Sequence, residues 1–117
     1  MDKIFRVQVL ISTNQKEGKY KIKVNGYDVV KETVKTITFK KTDHLDVRMN
    51  KADMYAPTAT LSNNTFSAIC HEMYCEEEAI EETTNVLVDM LFEKFLELEK
   101  TYKLALEAIS GEPDVEL

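Results

Sequence analysis

A chain of 117 residues with 44% hydrophobic and 31% charged side chains, three glycines and two prolines has the composition of one ordinary globular domain, large enough to bury roughly two thirds of the surface its unfolded chain exposes. Disordered, collagenous and disulfide-stapled classes are excluded on that basis. The net charge of −6 conceals a split: residues 1–55 carry twelve Lys or Arg against seven Asp or Glu, and residues 56–117 carry three against fourteen, so the two halves have opposite sign.

Asp2, Lys3 and Arg6 interrupt the first apolar stretch, which leaves no signal-peptide core, and no run approaches the roughly 20 apolar residues of a membrane span. The expectation is a cytoplasmic protein with no membrane partner, in which Cys70 and Cys75 are reduced thiols. Phe5, Val7, Val9 and Ile11 have the alternation of a half-buried strand. The polar run Thr13 to Gly18 reads as a loop. Tyr20, Ile22 and Val24 then alternate with Lys19, Lys21 and Lys23, giving one apolar and one cationic face. Asn25-Gly26 follows, the strongest short-range signal for a type I′ hairpin, and the expected turn would bring Val24 opposite Tyr27.

Beyond it the parity shifts, since Val30 and Val34 are even and Ile37 and Phe39 odd. A continuous strand would need a bulge near Lys35, and a short helix is the alternative, although the β-branched content of Val29 to Thr38 favours strand. Leu45, Val47 and Met49 mark a further strand over His44–Asn50. Lys51 to Pro57 reads as an excursion, and Thr58–Leu61 and Thr65–His71 as a hairpin around Ser62-Asn63-Asn64.

From Cys75 to Ser110 there is neither glycine nor proline, which predicts a helix, opened by Glu76, Glu77, Glu78, Glu81 and Glu82 at the positive end of its dipole. Ile80, Thr84, Leu87, Leu91, Phe95, Leu98, Tyr102, Ala105 and Ile109 form one apolar stripe expected to cover the sheet. Val86 and Met90 project on one flank, and Phe92 and Leu96 on the other. Between Val86 and Leu96 only Asp89, Glu93 and Lys94 are charged, so the helix is apolar nearly all round and must be enclosed. A break at Thr83-Thr84-Asn85 with the helix folding back would enclose it; self-association, most simply a two-fold dimer, is the favoured alternative. The predicted fold is therefore a single α+β domain: an antiparallel sheet of five to six strands over residues 1–74, one long helix over 75–110 packed across it, and a flexible tail at 111–117.

Motifs for chemistry are sparse. Cys70-His71-Glu72-Met73-Tyr74-Cys75 is dense in ligand types but lacks zinc spacing, and Cys70 and His71 would lie on opposite strand faces. His71-Glu72 lacks the second histidine of the zinc-protease motif. A Cys70 or Cys75 pair with His44 has no surrounding nucleophile signature. No metal, cofactor or catalytic residue is expected.

The cationic face is the remaining candidate. Arg48, flanked by His44 and Asp46, is the first choice for an anion contact, with Arg6, Lys21 and Lys23 supplying charge and Tyr20, Tyr27 and Tyr55 stacking surfaces. Lys31, Lys35, Lys40 and Lys41 lie on neighbouring segments, though such a face also serves simply to stay solvated and deter edge aggregation. The functional expectation is a non-enzymatic homo-oligomeric binding protein that sequesters a small anionic ligand such as a nucleotide at a subunit boundary, in the style of phage accessory and host-defence-evasion proteins. The alternatives are an acidic inhibitor whose glutamates block a basic site on a partner protein, and a structural assembly subunit.

Overall fold

The computed structural model describes residues 1–12, 20–62 and 68–116. Six strands, β1 (Lys3–Ser12), β2 (Tyr20–Glu32), β3 (Thr36–Thr42), β4 (Leu45–Asn50), β5 (Thr58–Ser62) and β6 (Ala68–Cys75), precede one helix, α1 (Ile80–Ser110). The sheet is antiparallel throughout, in the order β4-β3-β2-β1-β6-β5. The α+β architecture expected from the sequence is the one found. The candidate loops at 13–18 and around Asn63-Asn64 lie outside the described residues.

Strand alternation on β1 and β6 feeds two cores. On one face Val7, Val9, Ile69, Met73 and Cys75 pack under Leu87 and Leu91 of α1, with Phe5, Ile11, Phe95 and Leu98 at the margin. On the other face Ile4 joins Ile37, Phe39 and Met54, edged by Tyr27, Val29, Val47, Met49 and Tyr74. The second core exists because the sheet curls. In a flat sheet β3 and β6, with β2 and β1 between them, would stand about 14 Å apart. Yet the Phe39 and Tyr74 rings are 5.5 Å apart, and Tyr27 lies 5.3 Å from Phe39.

β2 makes the curl possible by serving two ladders. Tyr20–Asp28 pairs with β1, and Val29, Lys31 and Glu32 pair with β3 across a register shift between Val29 and Lys31. Such bulges bend and twist a strand. The continuous strand with a bulge near Lys35 expected over Val29–Thr38 is not found: β2 ends at Glu32 and β3 begins at Thr36 as its antiparallel partner, the register shift lies between Val29 and Lys31, and the Asn25-Gly26 hairpin does not form. Asn25 and Gly26 are mid-strand, opposite Arg6 and Phe5. The turn is made instead at Thr33, whose hydroxyl accepts from the backbone N–H of Lys35 and Thr36 and meets the Thr36 hydroxyl at 2.7 Å.

Glycine is required at position 26 for a different reason. A Cβ there would stand 2.9 Å from Cε1 of Phe5, so the ring lies against bare backbone, the usual meaning of glycine inside a strand. The connection from β4 to β5 closes the curled end. A 3-10 turn at Lys51–Asp53 delivers Met54 into the second core, and the Tyr55 N–H donates to the Tyr74 carbonyl at 2.9 Å. Tyr55 takes φ 60°, a conformation strained for a bulky residue.

A 3-10 turn at Glu77–Ala79 leads into α1. The helix does not break at Thr83–Asn85; Thr83 is buried and the Thr84 hydroxyl donates to the Ile80 carbonyl at 2.8 Å. With 31 residues it runs about 46 Å, further than the sheet beneath it. The stripe covers the sheet only to Leu98; Tyr102, Ala105 and Ile109 continue it in the open. The radius of gyration is accordingly 19.2 Å, against about 13 Å for a compact chain of this length.

Gly26→Ala should destabilise the fold by about 1–3 kcal/mol, the usual cost of overpacking, despite alanine's better backbone entropy. Urea unfolding of Gly26→Ala, Phe5→Leu and the double variant tests the cause: the cost should shrink in the Phe5→Leu background, and an equal cost in both would refute the contact.

Candidate functional site

The face of the sheet opposite α1 carries polar side chains in rows set by register. Lys21, Leu10 and Cys70 form one row; Lys23, Gln8, Glu72 and Thr58 the next; Asn25, Arg6 and Tyr74 the third; Tyr27 and Ile4 the last. Arg6 is the centre of this arrangement. Its guanidinium lies 5.7 Å over the Tyr27 ring and donates to Asn25 Oδ1 at 3.3 Å, while Nε is buried without a partner. Among the described residues no carboxylate pairs with it: Glu72, one row away, accepts from Gln8 Nε2 at 2.9 Å. The result is an arginine over a tyrosine ring with exposed Lys23 one row away and exposed Lys21 two rows away, on the face that α1 does not cover.

The residues singled out in the sequence divide between places. Arg6, Lys21, Lys23 and Tyr27 share this face. Tyr20 is excluded from it, because its partner Ile11 faces the helix. Tyr55 lies at the far edge, lining a cavity of about 220 Å³ with Met73, Ala79, Glu82, Thr83 and Val86. His44 sits in the turn between β3 and β4, two strands removed from β1. Arg48, the first choice for an anion contact, alternates with the inward-facing Val47 and Met49 and is exposed on β4. It contributes to a cavity of about 420 Å³ with Phe39, Met49, Asn50, Asp53 and Tyr74, but the rows do not bring it to Arg6. Asn25, Gln8 and Tyr74 were missed, since only the β1–β2 and β1–β6 registers place them beside Arg6.

The cysteines and His71 are poorly set for nucleophilic chemistry. Cys70 and Cys75 are free, and burial pushes both thiols up from their ordinary range, with Glu72 adding to the effect at Cys70 and the Thr83 hydroxyl opposing it at Cys75. Both are therefore thiols near neutral pH. Cys70 faces the open side and His71 the helix side, as strand alternation requires. His71 is only 4% exposed, and its Nδ1 is buried without a hydrogen bond. Burial, and secondarily the charge of Lys94, pull its pKa below the usual value. Among the described residues no three His, Cys, Asp or Glu converge in a way that could hold a metal ion, and no helix is long and apolar enough to cross a membrane.

The acidic pole is separate. Asp2, Glu32, Glu76, Glu77 and Glu78 line a cavity of about 540 Å³ with Met1, Lys3 and Phe5. Lys51 and the N-terminal amine, 2.6 and 3.1 Å from the Glu32 carboxylate, lower its pKa. Comparison with family models, curated proteins and solved structures found no match for this chain.

His71 yields a pH prediction. The folded protein favours the neutral ring, whereas the unfolded chain protonates it near its ordinary pKa of about 6.5. Its contribution to stability is complete above that value and is lost as pH falls toward the lower native pKa. Urea midpoints measured from about pH 7.5 to 5.5 should fall more steeply for the wild type than for His71→Leu. Parallel slopes would show that the ring does not titrate with unfolding.

Proposed function

We propose that this chain is a non-enzymatic, homo-oligomeric binding protein that holds a small anionic ligand with an aromatic ring, such as a nucleotide, on the open face of its sheet. What carries the reading is Arg6: a guanidinium 5.7 Å over the Tyr27 ring with no carboxylate partner among the described residues. A guanidinium fork matches phosphate geometry, and a phosphate reaching Arg6 would have Tyr74 in the same row and Lys23 in the next, with Lys21 one row further. Charge on the lysines draws the anion in, and the tyrosine rings offer stacking surface to a base. Arg6 takes the role that sequence reasoning gave to Arg48, and Tyr20 and Tyr55 drop out.

A second reading is favoured by the acidic cavity. Glu76, Glu77 and Glu78, with Asp2 and Glu32, present carboxylates on one side of the molecule, suited to a basic site on another protein. Such an inhibitor would use the pole opposite in sign to the Arg6 face.

A ligand at one hundred times its Kd stabilises the folded state by about 2.7 kcal/mol, a rise in Tm on the order of 10 °C for a chain this size. A nucleotide panel should produce such a shift in the wild type, and Arg6→Ala and Lys23→Ala should each diminish it whatever their own Tm. No shift with any nucleotide would reject the ligand reading. Under the inhibitor reading, Glu76, Glu77 and Glu78 changed together to Gln would release a basic partner protein that Arg6→Ala retains.

A further inference from the structure

Helix α1 leaves two apolar surfaces uncovered on the same side of the molecule. It packs over β1 and β6 and stops short of β2, whose Tyr20, Ile22 and Val24 face the helix layer and are close to half exposed. The second surface is the helix itself beyond Leu98. There Tyr102, Leu106 and Ile109 are 61, 65 and 80% exposed. They continue the face and edge on which Leu91 and Phe95 meet the sheet, because residues three and four apart share a side of a helix.

The two surfaces adjoin one groove. Val86 lies on the flank of α1 nearest β6, where it lines the cavity with Tyr55 and Met73. The opposite flank, carrying Phe92 at 65% exposure, stands over β2. Ile22 and Val24 are therefore the floor of an L-shaped trough and Phe92 its wall. Among the described residues the chain possesses one helix segment with nothing beneath it, the part of α1 beyond Leu98.

We infer that the occupant is the α1 arm of a second copy, and that two protomers exchange arms reciprocally about a two-fold axis. This deepens the homo-oligomeric half of the proposed function and is independent of the ligand. If the two helices run antiparallel side by side with the axis near Glu99, the arm's sheet-facing stripe stays face down and comes to rest on the partner's β2. Its Leu106 meets the partner's Phe92, and the same contact recurs on the other side of the axis, as an isologous interface requires. The two Glu99 carboxylates near the axis are each compensated within their own helix by Lys103, 3.1 Å away.

The size of the surface suits that occupant. Floor, wall and arm expose roughly 750 Å² per protomer, close to the about 800 Å² per partner of a standard stable interface. The helix then has its own sheet below, the partner helix beside its Phe92 flank, and the partner sheet under its arm.

Sedimentation velocity over a concentration series, without nucleotide, tests the exchange. The wild type should be a dimer. Leu106→Asp with Ile109→Asp in the arm, and separately Ile22→Asp in the trough, should each weaken dimerisation at least about a hundredfold. Circular dichroism should be retained, because these side chains are exposed in the protomer. Mixing the two variants supplies the decisive result. Each homodimer has both arm–trough contacts damaged, whereas a heterodimer keeps one sound arm in one sound trough, so the mixture should recover a heterodimer. A monomeric wild type, a trough variant that dimerises normally, or a mixture that stays monomeric would each overturn the inference. A nucleotide effect absent from a normal dimer would instead count against the ligand reading alone.

Discussion

The fold depends on alternation along two neighbouring strands. β1 and β6 send successive side chains to opposite faces, and both faces are used: Val7, Val9, Ile69 and Met73 lie under the helix, while Ile4 and Tyr74 meet Phe39 and Met54 on the other side. A strand buried on one face already has its register strongly specified, because a slip of one residue turns every side chain to the other face. Here a slip of one residue would empty both cores together. Burying a Val, Leu, Ile or Phe side chain is worth about 1.5–3 kcal/mol, so such a slip costs far more than the net stability of a typical domain. The curl of β3 and β4 over β6, the closure at Tyr55 and the polar rows around Arg6 all take their positions from that register.

The electrostatic division of the chain follows the same geometry. The strand-rich half places Arg6, Lys21 and Lys23 on the face that α1 does not cover. Much of the acidic half is in and around α1, with Glu76, Glu77 and Glu78 at the start of the helical region. Glu32 pairs with Lys51 and the N-terminal amine, and Glu99 with Lys103, while Arg6, Lys21 and Lys23 have no such carboxylate partner among the described residues.

Much of the fold was legible in the sequence because its signals were periodic. Phe5 to Ile11, Leu45 to Met49 and Tyr20 to Val24 announced strands, and the glycine-free stretch announced one long helix. The hairpin at Asn25-Gly26 was misread because a dipeptide that favours positive φ also provides the only spacing without a Cβ, and the second use prevailed when Phe5 came to lie across Gly26. The real turn has no glycine; Thr33 builds it from a hydroxyl. The stripe from Ile80 to Ile109 was read correctly, but where the sheet ends beneath it is a property of strand length and tilt. The candidate site was the least legible part. Tyr20 and Lys21 are neighbours in sequence and lie on opposite faces. Arg6, Asn25 and Tyr74 meet only through pairings between segments up to 68 positions apart.

That separation has a consequence for how the chain comes into being. β1 leaves the ribosome before the other strands of the sheet, and β2 follows soon enough to hold one of its edges. The other edge belongs to β6, where Phe5 awaits Cys75. Until those residues are made, the middle strand of the finished sheet is an unpaired border with apolar side chains on both faces, the kind of surface that nascent chains join by mistake. Closing so long a loop is slow relative to forming a hairpin. The central strand is thus made before its five neighbours in the sheet and is among the latest to be completed, and α1 can settle on it only after translation has passed residue 98.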